Sequence, residues 1–219
     1  MFALLTKSRR LCLPIDVILD LFDKIVLPIL LYGCEIWGHT DINGIEVFYR
    51  NFIRRILKLG NSTSNGMLYG ETGKTSIMPT IEKRMIAFWL RLVQGSQNKL
   101  SVILYQFVSK LYNVKDYQSL WFKKIVSMLQ DCGMYYIWRN QEENLDIKHI
   151  TMRVNMRIND IWLQKWNSRV NSAFRCTYYK LFKEEHTFEN YLLMDDKHII
   201  NMAKFRCRHN HLPISKNIA

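Results

Sequence analysis

Residues 150–170, ITMRVNMRINDIWLQKWNSRV, admit two readings, and the choice between them decides the fold. Over 150–159 the apolar Ile150, Met152, Val154, Met156 and Ile158 alternate with Thr151, Arg153, Asn155, Arg157 and Asn159, the two-residue period of a half-buried strand. Over a longer window Val154, Ile158, Trp162, Trp166 and Val170 recur every fourth residue, as they would along one face of a helix. The four-step pattern persists beyond the length of an ordinary strand, so a helix is expected here.

The flanking sequence has the same helical period. In 15–32, Ile18, Leu21, Phe22, Ile25 and Ile29 fall at helical spacing with Asp16, Asp20 and Lys24 opposite. Pro28 should kink or divide that helix, because it lacks a backbone donor. In 44–59, Ile45, Phe48, Phe52, Ile56 and Leu59 form one stripe, with Gly60 as the stop signal. Residues 61–76 read as a loop or short turns, and 78–94 as a helix with Ile81, Met85, Phe88 and Leu92 inward. Further helices are expected over 99–112, 118–130 and 197–208, with a polar connection over 131–147 and an extended end around Leu212-Pro213-Ile214. Only 9 Gly and 4 Pro punctuate the 219 residues, too few for the many turns of a sandwich or barrel. The fold class is mainly α.

Basic residues exceed acidic ones by twelve, and the excess belongs to both halves: +5 in residues 1–99 and +7 in 100–219. A surplus spread in this way suits a polyanionic partner, RNA or DNA before a membrane surface. The most apolar run, Ile25–Tyr32, is too short to cross a bilayer, and no membrane partner is expected. Five cysteines, odd in number and without a C-x-x-C pair, indicate a reducing compartment and hence an intracellular site, cytoplasm or nucleus.

Several motifs carry less than they suggest. Gly70-Glu71-Thr72-Gly73-Lys74-Thr75 resembles the end of a phosphate-binding loop, but Leu68 stands where its first glycine belongs. A surface turn is the expectation. Leu193-Met194-Asp195-Asp196 resembles a pair of metal-binding aspartates, yet the third aspartate and the strands that would present it are not apparent. A charged helix start fits better. Cys207, His209 and His211 lack the second ligand pair of a zinc site. No catalytic residue, metal ligand or cofactor is assigned.

Two basic ladders survive this sorting. Arg50, Arg54, Arg55 and Lys58 line the helix of 44–59, opposite its apolar stripe. Arg153, Arg157, Lys165 and Arg169 lie in 148–183, a segment of net charge +7 whose single acid is Asp160. Trp162, Trp166, Phe174, Tyr178, Tyr179 and Phe182 are interleaved with the second ladder. Cations neutralise phosphates and aromatics stack on unpaired bases, so both ladders are candidate nucleic-acid contacts. Helical spacing equally suits the aromatics as core.

The order of several short motifs resembles a known family. Leu13-Pro14-Ile15, Leu21-Phe22-Asp23-Lys24 and the run Pro28–Gly38 (PILLYGCEIWG) are similar to the thumb of non-LTR (LINE-type) retrotransposon reverse transcriptases. Tyr69-Gly70-Glu71-Thr72-Gly73, Met85 with Phe88-Trp89, Trp166, Tyr178, Phe182-Lys183, Glu189-x-Tyr191-Leu192, Phe205-Arg206 and His211-Leu212-Pro213-Ile214 continue the likeness into the region after the polymerase. The resemblance implies a helical thumb-like bundle over 1–95, a helical connector over 96–147 and a basic, aromatic-rich helical region over 148–219. It also implies sequence-independent binding of a template–primer, with no catalysis, since the family's fingers, palm and endonuclease have no counterpart in these residues. Ser215-Lys216-Asn217 departs from the family's Glu-x-Gly. The expectation is a fragment or decayed copy of such an enzyme, with a complete retroelement polymerase as a candidate partner. Two rivals are a helical protein-interaction module and a non-functional remnant.

Overall fold

A computed structural model describes residues 2–113, 119–141, 146–194 and 196–207. Among them the fold is mainly α, with no strand beyond an isolated antiparallel bridge between Thr72 and Phe188. No described helix is long and apolar enough to cross a membrane. Leu212-Pro213-Ile214, Asp195, His209 and His211 lie outside the described residues. The chain divides into two compact units that do not follow its linear order. One comprises the chain up to Leu30, Gly44–Ser76 and the chain from Leu163; the other comprises Leu31–Asn43 and Ile77–Trp162. The expected partition at 95 and 147 follows sequence, whereas these units follow contact.

The stretch 150–170 is helical, within Ile147–Ser172, and Asp146 caps it by accepting the His149 amide at 3.1 Å. Ile150, Val154, Ile158, Trp166 and Val170 are buried and Trp162 is half-buried, so the four-step row is the packed face. Each of Arg153, Arg157, Lys165 and Arg169 directly precedes a buried position. A one-residue step turns about 100° around a helix, which places all four beside the packed face and in solvent.

In the first unit, Ile15–Leu21 passes into a wider π-type turn at Phe22–Val26 before helix Leu27–Leu30. The division sits where Pro28 withholds its amide and crowds the carbonyl four residues back. The extra residue in that turn rotates the register. Ile25 and Ile29, expected on the buried stripe, are therefore exposed, while Leu19 and Phe22 are buried. Phe22 stacks on Phe52 with ring centroids 4.1 Å apart and meets Tyr49 at 5.3 Å. Burying such a ring is worth about 1.5–3 kcal/mol.

Helix Asn43–Ile56 buries Tyr49, Phe52 and Ile53, a face turned one residue from the expected stripe. It ends before Gly60. Lys58 takes the left-handed conformation (φ 51°), and the Leu59 amide reaches back 2.9 Å to the Arg54 carbonyl.

Residues 61–76 are not merely a loop, because Asn65–Thr72 is a helix with Met67 through Thr72 all buried. Its glycines obscured it in the sequence and are required by its packing. A Cβ on Gly70 would strike the Tyr179 hydroxyl and come within 2.9 Å of Trp166, and one on Gly66 would lie 3.1 Å from Val170. Gly73 closes the helix in the left-handed conformation (φ 61°), with the Phe188 amide 2.6 Å from where its Cβ would stand. The surface turn expected at Gly70–Thr75 is thus partly interior: Glu71 and Thr72 are buried.

In the second unit, Met78–Val93 buries Ile81, Met85 and Leu92 as expected, but Phe88, also expected inward, is half-buried and its neighbour Trp89 is buried instead. Short helix Cys34–Trp37 packs on it, and Gly38 permits the approach: a Cβ there would lie 2.5 Å from the Cys34 carbonyl and 3.0 Å from Met85 Sδ. Helices Leu100–Asn113 and Leu120–Asp131 complete the packing, the latter capped by Ser119 accepting from the Phe122 amide at 3.3 Å. The connection expected over 131–147 contains helix Tyr135–Arg139, which buries Ile137. Trp89 stacks on Trp138 at 5.6 Å and donates to the Tyr105 hydroxyl at 3.0 Å. Burial pushes the Tyr105 phenol up to about 12.

Candidate nucleic-acid interface

The first ladder divides once its partners are known. Arg50 is half-buried and 3.7 Å from Glu46, which also accepts the Tyr69 hydroxyl, so its charge is compensated inside the unit. Burial and the Glu46 charge push the Tyr69 phenol well up. Arg54 is half-buried too, and its guanidinium donates to Asn65 Oδ1 at 2.7 Å, the Thr63 carbonyl at 3.3 Å and Asn51 Oδ1 at 3.3 Å. These acceptors are neutral and leave its charge in place. Burial first, then neighbouring Arg50, lowers its pKa from the ordinary guanidinium value. Arg55 and Lys58 are exposed. The ladder read as four equivalent phosphate contacts is two exposed cations beside two partly interior ones, because the helix packs one residue round from the expected face.

Arg153, Arg157, Lys165 and Arg169 are exposed and have no carboxylate partner among the described residues. Arg153 and Arg157 belong to the second unit's portion of their helix, Lys165 and Arg169 to the first unit's. Of the six interleaved aromatics Trp162 is half-buried, and the other five separate into two groups. Trp166 and Tyr179 are core, with Trp166 donating to the Gly66 carbonyl at 2.8 Å. Phe174, Tyr178 and Phe182 stand out from the surface, Phe174 at 82% exposure.

A feature of the first unit escaped the ladder pattern. A cleft of about 550 Å³ is lined by Arg54, Asn61, Ser64, Asn65, Phe174 and Arg175, with no acidic side chain on its walls. Arg175 donates to the Ser62 carbonyl at 3.0 Å. Arg54 and Arg175 meet here from segments far apart in the chain. The only sequence signal was the mixture of basic and aromatic residues in 148–183, which could not reveal Arg54 as a neighbour.

A buried polar cluster lies elsewhere in the same unit. Glu71, fully buried, accepts from the Tyr191 hydroxyl and from Arg206 Nε, and Arg206 Nη2 lies 3.1 Å from Glu189 Oε1. Lys183, also buried, pairs with Glu189 and donates to the Thr187 carbonyl at 2.6 Å. Two carboxylates thus face two cations. Burial alone would lower the Arg206 pKa, but the charges of Glu71 and Glu189 hold it above its ordinary value. Burial and Glu71 push the phenols of Tyr179 and Tyr191 upward, keeping them protonated. Burial likewise raises the Cys207 thiol. The cluster is charge-balanced and ties three distant segments together. No group of three or more His, Cys, Asp or Glu among the described residues could hold a metal ion.

Comparison of the chain with protein-family models, with curated proteins and with solved structures returns no match.

Proposed function

We propose that this chain binds RNA or DNA without sequence preference, as a helical thumb and post-thumb region of the reverse-transcriptase type, gripping a template–primer and performing no chemistry of its own. The observation that carries the reading is that Arg153 and Arg157 in the second unit, and Lys165 and Arg169 in the first, are exposed and unmatched by carboxylates among the described residues. Unpaired cations repel one another and offer no internal stabilisation, so a polyanion is the partner that uses them. Contacts to phosphate position a strand without reading its bases.

The motif residues behind the family resemblance also support it, because they touch. Gly38 accommodates Met85 in the second unit, while Glu71, Glu189, Tyr191 and Arg206 share one cluster in the first. Motifs far apart in sequence yet packed together are what a shared fold requires.

The test is a binding titration against duplex and single-stranded oligonucleotides across salt. Affinity should fall steeply between about 50 and 200 mM salt, and Arg157→Glu with Arg169→Glu should flatten the dependence. A folded protein that binds neither nucleic acid at low salt would overturn the proposal.

A second reading, a helical protein-interaction module, rests on Leu100–Asn113. Leu100, Ile103, Leu104, Phe107 and Leu111 recur at three- and four-residue spacing on its solvent side. A solvated helix face has no use for such a stripe. Under this reading, Ile103→Glu with Phe107→Glu abolishes association with a protein partner, such as a complete retroelement polymerase, and leaves nucleic-acid binding unchanged.

A further inference from the structure

We infer that the cleft between Arg54 and Arg175 seats one unpaired nucleotide of a single strand, its phosphate held by the two guanidiniums and its base laid on Phe174. The inference rests on the nucleic-acid reading above and goes beyond it by giving the strand a defined seat and a preference for unpaired bases.

The phosphate site follows from charge. Arg54 and Arg175 line the same cleft, and their hydrogen-bond acceptors are carbonyl and amide oxygens, none of them a carboxylate. The pair therefore keeps two positive charges facing one space. Side-chain amides of Asn61 and Asn65 supply neutral donors on the same walls. The cleft also opens at the start of helix Asn65–Thr72, whose Ser64 N-cap makes no side-chain cap bond, so the positive end of that helix adds to the field.

The base site follows from shape and from the exposed ring. Phe174 is 82% exposed on a cleft wall, directly before Arg175 in the chain. Most of the Phe174 side chain is open to solvent, where an aromatic ring can stack on any base. Duplex bases already stack within their helix and cannot use that ring, whereas an unpaired base can. A volume of about 550 Å³ has room for one nucleotide.

The experiment measures affinity for a fluorescent single-stranded oligonucleotide, the same strand with an abasic backbone, and a duplex, using the full chain. Phe174→Ala should weaken single-strand binding about tenfold while leaving abasic and duplex binding unchanged. Arg175→Ala should weaken the intact and the abasic single strand alike. Both side chains are exposed, so thermal melting should fall only slightly, Arg175→Ala losing its surface bond to the Ser62 carbonyl. If both variants bind single strands as the parent does, the cleft is not a seat, while the broader reading survives. If Phe174→Ala weakens duplex and single strand equally, stacking is refuted. If the parent protein binds no nucleic acid, both proposals fall.

Discussion

Arg206 Nε lies 3.0 Å from one carboxylate oxygen of Glu71 and 3.1 Å from the other, across 135 positions of sequence. Glu71 lies in the last turn of a short helix and Arg206 in the last turn of the last one described, so this contact pins that last helix to the body of its unit. The attraction of a buried ion pair roughly offsets its desolvation, whereas one buried charge left without its partner is strongly destabilising.

Removing one partner should therefore be far worse than removing both. Arg206→Met leaves Glu71 buried with only phenols nearby and should cost about 3–5 kcal/mol of unfolding free energy. Glu71→Leu combined with Arg206→Met should recover part of that loss. Urea denaturation of the two single variants and the double variant closes the cycle, and additive losses would show that the pair is not coupled.

Lys58→Gly should stabilise the first unit. Lys58 holds a left-handed backbone (φ 51°) at the helix end where glycine is ordinarily found. Relieving the clash of its Cβ is worth about 1 kcal/mol, partly offset by the greater freedom of glycine in the unfolded chain. A rise in melting temperature checks this, and a fall would mean that the lysine side chain makes up the difference.

Glycines in different surroundings should respond with opposite sign. Gly70→Ala drives a Cβ into Tyr179 and Trp166, and Gly38→Ala drives one into the Cys34 carbonyl and Met85; each should cost about 1–3 kcal/mol. Gly44, in the first turn of helix Asn43–Ile56, has open space around its missing Cβ, and Gly44→Ala should gain about 0.5–1 kcal/mol. Equal responses at the three positions would contradict the packing described.

What the sequence could and could not show follows from where each element gets its stability. The helix at 147–172 was legible because its buried row, Val154 to Val170, repeats over several turns and outlasts the competing alternation. Met78–Val93 was legible for the same reason. The helix Asn65–Thr72 was not: Gly66 and Gly70 lower its intrinsic propensity, and contacts with Trp166, Val170 and Tyr179 supply what propensity lacks. The exposure of Ile25 and Ile29 was hidden because one π-type turn shifts every later position to another face. For the candidate site, the exposed row Arg153–Arg169 could be read from one helix alone. The cleft could not, since Arg54 and Arg175 share no local pattern and meet only through the fold.

His186 gives the first unit a pH dependence whose sign is fixed by burial. Its ring meets Trp166 edge-on at 4.9 Å, with Nε2 3.2 Å from the Lys74 carbonyl. Burial lowers its pKa, the Lys74 carbonyl opposes that, and the charge of Lys183 adds to the lowering. The unfolded chain therefore takes up this proton at a higher pH than the folded one. Stability from this group is complete above the unfolded value of 6.5, falls as pH drops toward the folded value, and is constant below it. The slope is at most about 1.4 kcal/mol per pH unit, the limit for one proton. Urea unfolding between about pH 8 and pH 5 should show the parent protein losing stability faster than His186→Phe, which keeps a ring against Trp166 and cannot titrate. Parallel curves for the two proteins would show that His186 titrates alike in the folded and unfolded chain.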